Sequence, residues 1–107
     1  MYQTITVETK DKVGRITLSR EEKRNAISPT MMTELLEAFR EYDDDLDVLA
    51  VVLTGAGSKV FCAGADFGES MGATASFLDR YEGQRNFVEL FKIIRGLKKP
   101  LIGRING

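Results

Sequence analysis

Hydrophobic and polar residues alternate at the start of the chain. Ile5 and Val7 stand between polar neighbours, Lys10-Asp11-Lys12 interrupts, and Ile16 and Leu18 resume the alternation. A period of two puts successive side chains on opposite faces, so this stretch predicts a β-hairpin with one dry and one wet face. Gly14 is a candidate bulge. Arg20 to Arg24 reads as a charged loop. The period then changes. Ser28 can cap free amides, and Pro29 suits a first helical position because its missing N–H costs nothing there. Met32, Leu35, Leu36 and Phe39 follow at helical spacing and predict an amphipathic helix that stops at Asp43-Asp44-Asp45. Acids are unfavourable beside the partly negative C-terminal end of a helix, and solubility is the only account the sequence offers for them.

Leu49-Ala50-Val51-Val52-Leu53 is an unbroken apolar run stopped by Gly55. It predicts a strand buried on both sides, as in a parallel sheet surrounded by helices. Residues 55 to 72, rich in Gly and Ala, read as a loop. Helical spacing returns from about Ala75 to Lys98: Phe87, Leu90, Phe91, Ile94 and Leu97 share one side, and Arg85, Lys92, Arg95 and Lys99 another. Phe77 and Tyr81 fall out of that register, and the phase break near Gly83 predicts a kink or two helices. Pro100 ends the element, Leu101 to Ile105 make a further strand, and Asn106-Gly107 is a turn signal. Strands alternating with helices give an α/β layered fold.

Composition narrows the chemistry. A chain of 107 residues fits one domain, and 43% apolar with 29% charged residues is neither a disordered tail nor a membrane span. Met1-Tyr2-Gln3-Thr4 lacks the basic and apolar regions of a secretory signal. The single cysteine, Cys62, cannot form an internal disulfide, which fits a reducing, cytoplasmic setting. There is no histidine. That excludes Ser-His-Asp and Cys-His catalysis, histidine metal sites and any imidazole base within these residues. The net charge of −1 hides a polarity. Residues 34–47 hold seven acids against one base, and residues 80–107 hold seven bases against two acids. Such polarity steers an anionic ligand, pairs one subunit with another, or simply solvates two helix faces.

Candidate chemistry concentrates between Leu53 and Phe67. Gly55-Ala56-Gly57 after a buried strand suggests a nucleotide loop, but Val60 stands where a Rossmann turn needs its third glycine, and the Walker order is not met. In Phe61-Cys62-Ala63-Gly64-Ala65-Asp66 small residues let the backbone approach a ligand, and glycine reaches dihedrals others cannot. An amide without a ladder partner there can stabilise oxyanion charge in a dry site. A tight strand-to-helix connection capped by Asp66 explains the same spacing. Cys62 reads as a small packing residue, not a nucleophile.

The segments Lys23-Arg24-Asn25-Ala26-Ile27, Leu53-Thr54-Gly55, Phe61-Cys62-Ala63-Gly64-Ala65-Asp66-Phe67, Lys99-Pro100-Leu101-Ile102 and Asn106-Gly107 closely resemble the enoyl-CoA hydratase/isomerase (crotonase) superfamily. They stand in the family's order and spacing along essentially the whole chain. The resemblance implies a crotonase-like spiral of strands and helices, of which residues 1–107 are the N-terminal, acyl-CoA-binding portion. It implies an acyl-CoA thioester substrate whose enolate is held by two backbone amides, the first being that of Ala65. The second amide and the catalytic carboxylates are expected beyond Gly107, so these residues alone are expected not to turn over substrate. Coenzyme A belongs to the substrate, and no separate cofactor or metal is implied. The CoA moiety is placed against Ala26, Ala63, Gly64, Ala65, Asp66 and Phe67, with Lys23 or Arg24 near its phosphates.

The expected activity is 2-enoyl-CoA hydration, with isomerisation or another reaction of the family as the alternative. The expected assembly is a homotrimer or hexamer with no membrane partner. Arg104, where the family commonly has a small apolar residue, points to a salt bridge or to a branched or carboxylated acyl chain. Some family members bind RNA through basic helices. The Arg85, Lys92, Arg95 and Lys99 stripe fits that, but the slightly acidic charge and the lack of a stacking motif weigh against a nucleic-acid partner.

Overall fold

The computed structural model describes residues 2–65 and 77–107. Strands β1 (Ile5–Lys10) and β2 (Val13–Leu18) form the hairpin, helix α1 spans Pro29–Asp44, β3 spans Ala50–Gly55, α2 spans Phe77–Gly96 and β4 spans Leu101–Arg104. One sheet holds all four strands in the order β1-β2-β3-β4. The hairpin is antiparallel, and β3 runs parallel to both β2 and β4. Asp11 and Lys12 both take positive φ, 52° and 66°, the geometry of a two-residue turn whose twist matches its strands.

Gly14 is not a bulge. The β1–β2 register runs unbroken from Ile5 opposite Leu18 to Lys10 opposite Val13, with Gly14 facing Thr9. The glycine makes room instead: a Cβ there would stand 2.8 Å from the Tyr42 ring. The Tyr42 hydroxyl then donates to the Glu8 carbonyl at 3.1 Å and accepts from the Thr9 hydroxyl at 3.2 Å, which ties α1 to β1.

The helix forms as its sequence predicts. Ser28 is extended, its hydroxyl accepts the Met31 N–H at 3.2 Å, and Pro29 follows at the first position. Met32, Leu35 and Phe39 pack with Ile16, Leu18 and Val51 in the buried core between α1 and one sheet face. Leu90 of α2 closes that core. Phe91 lies at the margin of the α2 stripe, 59% exposed, stacked on Phe87 with ring centroids 6.3 Å apart. A single helix runs through Gly83, not two.

The prediction for β3 needs correction. Val51 is fully buried, but Val52 is half-buried and Leu49, just before the strand, is 61% exposed. Registered partners in parallel strands share a face, so Val52 lies with Arg15 and Ile102 on the face opposite α1. Among the described residues no helix covers that face, and an apolar run cannot report how many layers surround it.

The acids at the end of α1 now have an account. Asp43 accepts the Lys98 N–H at 2.9 Å, the Lys98 ammonium stands 3.9 Å from Asp43 and 3.8 Å from Asp44, and Lys99 donates to the Tyr42 and Asp45 carbonyls. The link between α2 and β4 therefore supplies the positive charge that the helix end lacks. At the other end of the chain, Glu34 accepts the Gln3 N–H at 2.6 Å, the Thr4 N–H at 2.8 Å and the Thr4 hydroxyl. Burial pushes its carboxyl up, but these donors outweigh burial and hold it below the usual carboxylate range.

Candidate active site

Two turns meet beyond the C-terminal ends of β2 and β3. After β2, a short 3-10 turn, Glu21–Lys23, is followed by Arg24 and Asn25 with φ of 55° and 56°. Asparagine tolerates that left-handed backbone because its short amide bonds locally. After β3, residues 55–65 return alongside the first turn. The Ala63 N–H donates to the Arg24 carbonyl at 3.0 Å and the Ile27 N–H to the Gly64 carbonyl at 2.8 Å. Ile27 and Ala65 form an isolated parallel bridge.

Those bonds decide where the Ala65 amide points. Among the described residues no peptide bond is cis. In a trans peptide the carbonyl of one residue and the N–H of the next point in opposite directions. With the Gly64 carbonyl aimed at Ile27, the Ala65 N–H is aimed away from it. Ala65 is exposed, and among the described residues no acceptor takes its N–H. Gly64 makes this turn at φ 107°, a region closed to ordinary L-residues, although a Cβ there would meet none of the described residues within 4 Å. The dihedral requires the glycine; the space does not.

Asn25 and Asn106 brace the loop. Asn25 is 1% exposed; its Oδ1 accepts the Arg20 N–H at 2.9 Å, and its Nδ2 donates to the Ala56 and Val60 carbonyls at 3.1 and 3.0 Å. Asn106 accepts the Gly55 N–H at 3.0 Å and donates to the Gly57 carbonyl at 3.0 Å. The motifs contained both residues, yet neither had been given a role. For Asn25 the available signal was an asparagine inside a turn that needs positive φ.

The remaining candidates fall as follows. Ala63, Gly64 and Ala65 are exposed neighbours, and Ala26, half-buried, gives its carbonyl to Arg20 at 2.7 Å. Lys23 and Arg24 are both exposed. A cleft of about 360 Å³ is lined by Arg24 and Lys59 together with Glu21, Glu22 and Asn25, and Lys23 is not part of its wall. Lys59 had not been anticipated. Asp66 and Phe67 lie outside the described residues. Cys62 is half-buried against the edge of the core, with its sulfur 3.4 Å from the Gly64 nitrogen. Arg104 reaches the Thr54 hydroxyl at 3.5 Å and meets no carboxylate among the described residues, so the expected salt bridge is not formed there. The basic stripe is broken as well. Arg85, Lys92 and Arg95 are exposed on α2, but Lys99 is spent on the end of α1. Among the described residues no helix is long and apolar enough to cross a membrane.

Comparison with known proteins identifies the arrangement. Residues 8–107 match the family model described as enoyl-CoA hydratase/isomerase. The chain belongs to the enoyl-CoA hydratase/isomerase family. A probable enoyl-CoA hydratase of Rhizobium meliloti is 38% identical over 106 residues, covering 99% of this chain and 39% of that protein. A second, from Mycobacterium leprae, is 37% identical with the same coverage. Among solved structures, an enoyl-CoA hydratase from Bacillus anthracis superposes with a TM-score of 0.89 at 31% identity, over 98% of this chain and 40% of that one. AtuE of Pseudomonas aeruginosa gives 0.90 at 34% identity, over 98% and 41%. The fold is therefore the crotonase fold, as the motifs implied, and the chain spans about two fifths of the length of these relatives.

Proposed function

We propose that residues 1–107 are the acyl-CoA-binding, oxyanion-forming portion of a family enzyme that hydrates 2-enoyl-CoA thioesters. The observation that carries this is the Ala65 N–H, turned away from Ile27 and without an acceptor among the described residues. A thioester oxygen placed against it gains charge as water adds to the conjugated alkene and the enolate forms. A donor fixed in advance stabilises that charge without reorganising. Ala63 and Gly64 let the thioester approach the backbone, with Ala26, Asp66 and Phe67 as further neighbours of the CoA moiety. Arg24, more than Lys23, fits the phosphates, because it shares a cleft with Lys59. The same reading supplies a second amide and the acid–base carboxylates from elsewhere in the complete protein, which is expected to be a cytoplasmic homotrimer or hexamer. Isomerisation would use the same enolate, so the carboxylates decide between the two reactions.

The test is loss of absorbance of a conjugated enoyl-CoA on hydration by the complete protein. Ala65→Pro removes the donor and is expected to lower kcat/KM by about 10²–10³. An unchanged kcat/KM in the folded variant refutes the assignment.

A further inference from the structure

Asn25 lies in the wall of the Arg24–Lys59 cleft, and the oxygen and both hydrogens of its side-chain amide are engaged within the protein. One acceptor and two donors are met, at 2.9, 3.1 and 3.0 Å, by Arg20, Ala56 and Val60. The residue is 1% exposed. Its own N–H donates to the Arg20 carbonyl at 2.8 Å. The side chain therefore joins the turn after β2 to the loop after β3 through a buried amide with its oxygen and both hydrogens bonded, the kind of contact that rigidifies its surroundings.

The two bonds that aim the Ala65 amide start on either side of this residue. Arg24 accepts from Ala63, and Ile27 donates to Gly64. We propose that Asn25 is a positioning residue: by locking residues 20–27 onto the 56–60 loop, it holds both bonds in place and so fixes the direction of the Ala65 N–H. This deepens the proposed function and rests on it for the role of the amide. Asn25 acts on the reacting thioester through the Gly64–Ala65 peptide.

Two variants of the complete protein separate the possibilities. Asn25→Asp keeps size and the acceptor for Arg20 but turns oxygen lone pairs toward the Ala56 and Val60 carbonyls. Asn25→Gly keeps the left-handed backbone and removes the side chain, which guards against a variant that simply fails to fold. Both are expected to lower kcat by about 10²-fold, the cost of a misplacement of about 1 Å. kcat should fall by a larger factor than KM rises, because the oxyanion donor needs a fixed direction whereas Arg24 and Lys59 reach the cleft on flexible side chains. In Asn25→Asp, kcat should partly recover on acidification, as the introduced carboxyl regains a proton and with it one donor; Asn25→Gly should show no such recovery. Hydrogen exchange at the Ile27 and Ala63 amides should quicken in both variants. A folded Asn25→Asp with wild-type kcat, or with those amides protected as in the wild type, overturns the inference. If the wild-type protein neither binds nor hydrates an acyl-CoA thioester, the functional reading falls, and exchange alone decides: faster at both amides supports the positioning role, unchanged overturns it.

Discussion

Gly55→Ala tests the loop at its root. Gly55 ends β3, opposite Leu18, with its N–H on Asn106 at 3.0 Å. An added Cβ would lie 2.9 Å from the Phe61 Cα and 3.0 Å from the Asn25 Nδ2, and would collide with the Phe61 carbonyl oxygen. Ordinary contact begins at 3.4 Å, so the Phe61 backbone must retreat by about 0.5 Å at least. Strand pairing holds Gly55, so the loop gives way. Overpacking of this kind costs about 1–3 kcal/mol. In a complete protein as long as its relatives, of which this chain spans 39%, each kcal/mol lowers Tm by about 2–4 °C. Phe61 is four residues before Ala65, and half an ångström at the oxyanion donor is expected to cost about tenfold in kcat, by scaling from about 10² for 1 Å. Thermal unfolding and enoyl-CoA hydration read the two effects. Gly14→Ala is the control, because its Cβ meets the Tyr42 ring at 2.8 Å, away from the loop. It should lose comparable stability and keep its kcat. Wild-type Tm and kcat in Gly55→Ala, or equal losses of kcat in both variants, would refute the reasoning.

Other expectations are simpler. The lowered carboxyl of Glu34 adds stability above its unfolded value of 4.5, and that contribution disappears as pH falls through the lower folded value. Urea unfolding of Glu34→Gln should show a lower midpoint near neutral pH and a flatter dependence on acidification than the wild type. Gly64→Ala meets no atom of the described residues, so its cost there is backbone strain at φ 107°, about 1–3 kcal/mol with a fall in kcat; an unperturbed variant would show that the dihedral is not required. Lys99→Met leaves the Tyr42 and Asp45 carbonyls without their charged donor and should cost about 1–2 kcal/mol in chemical denaturation, with KM for acyl-CoA unchanged.

Local chemistry was legible where it is local in the chain. The Ser28 cap, Pro29 and the Met32 to Phe39 spacing define α1 because a helix closes its bonds within four residues. The motif from Phe61 to Ala65 was legible through resemblance, and its backbone direction only through the bond from Ile27 to Gly64, some forty residues apart in the chain. Asn25 was hidden for the same reason: its partners Ala56 and Val60 are remote in sequence, and nothing in its neighbours announces them. Gly14 reads equally as a bulge or as space for a ring until Tyr42 is placed above it. The acids at the end of α1 look like a local error because their compensation, Lys98 and Lys99, arrives on another element.

The sheet order repeats the chain order, β1, β2, β3, β4. Each strand after the first therefore finds a partner already made when it leaves the ribosome, and only one growing edge awaits the next strand. Synthesis from the N-terminus can lay the sheet down like planks, one against the last, which shortens the time that unpaired edges are available to neighbouring nascent chains.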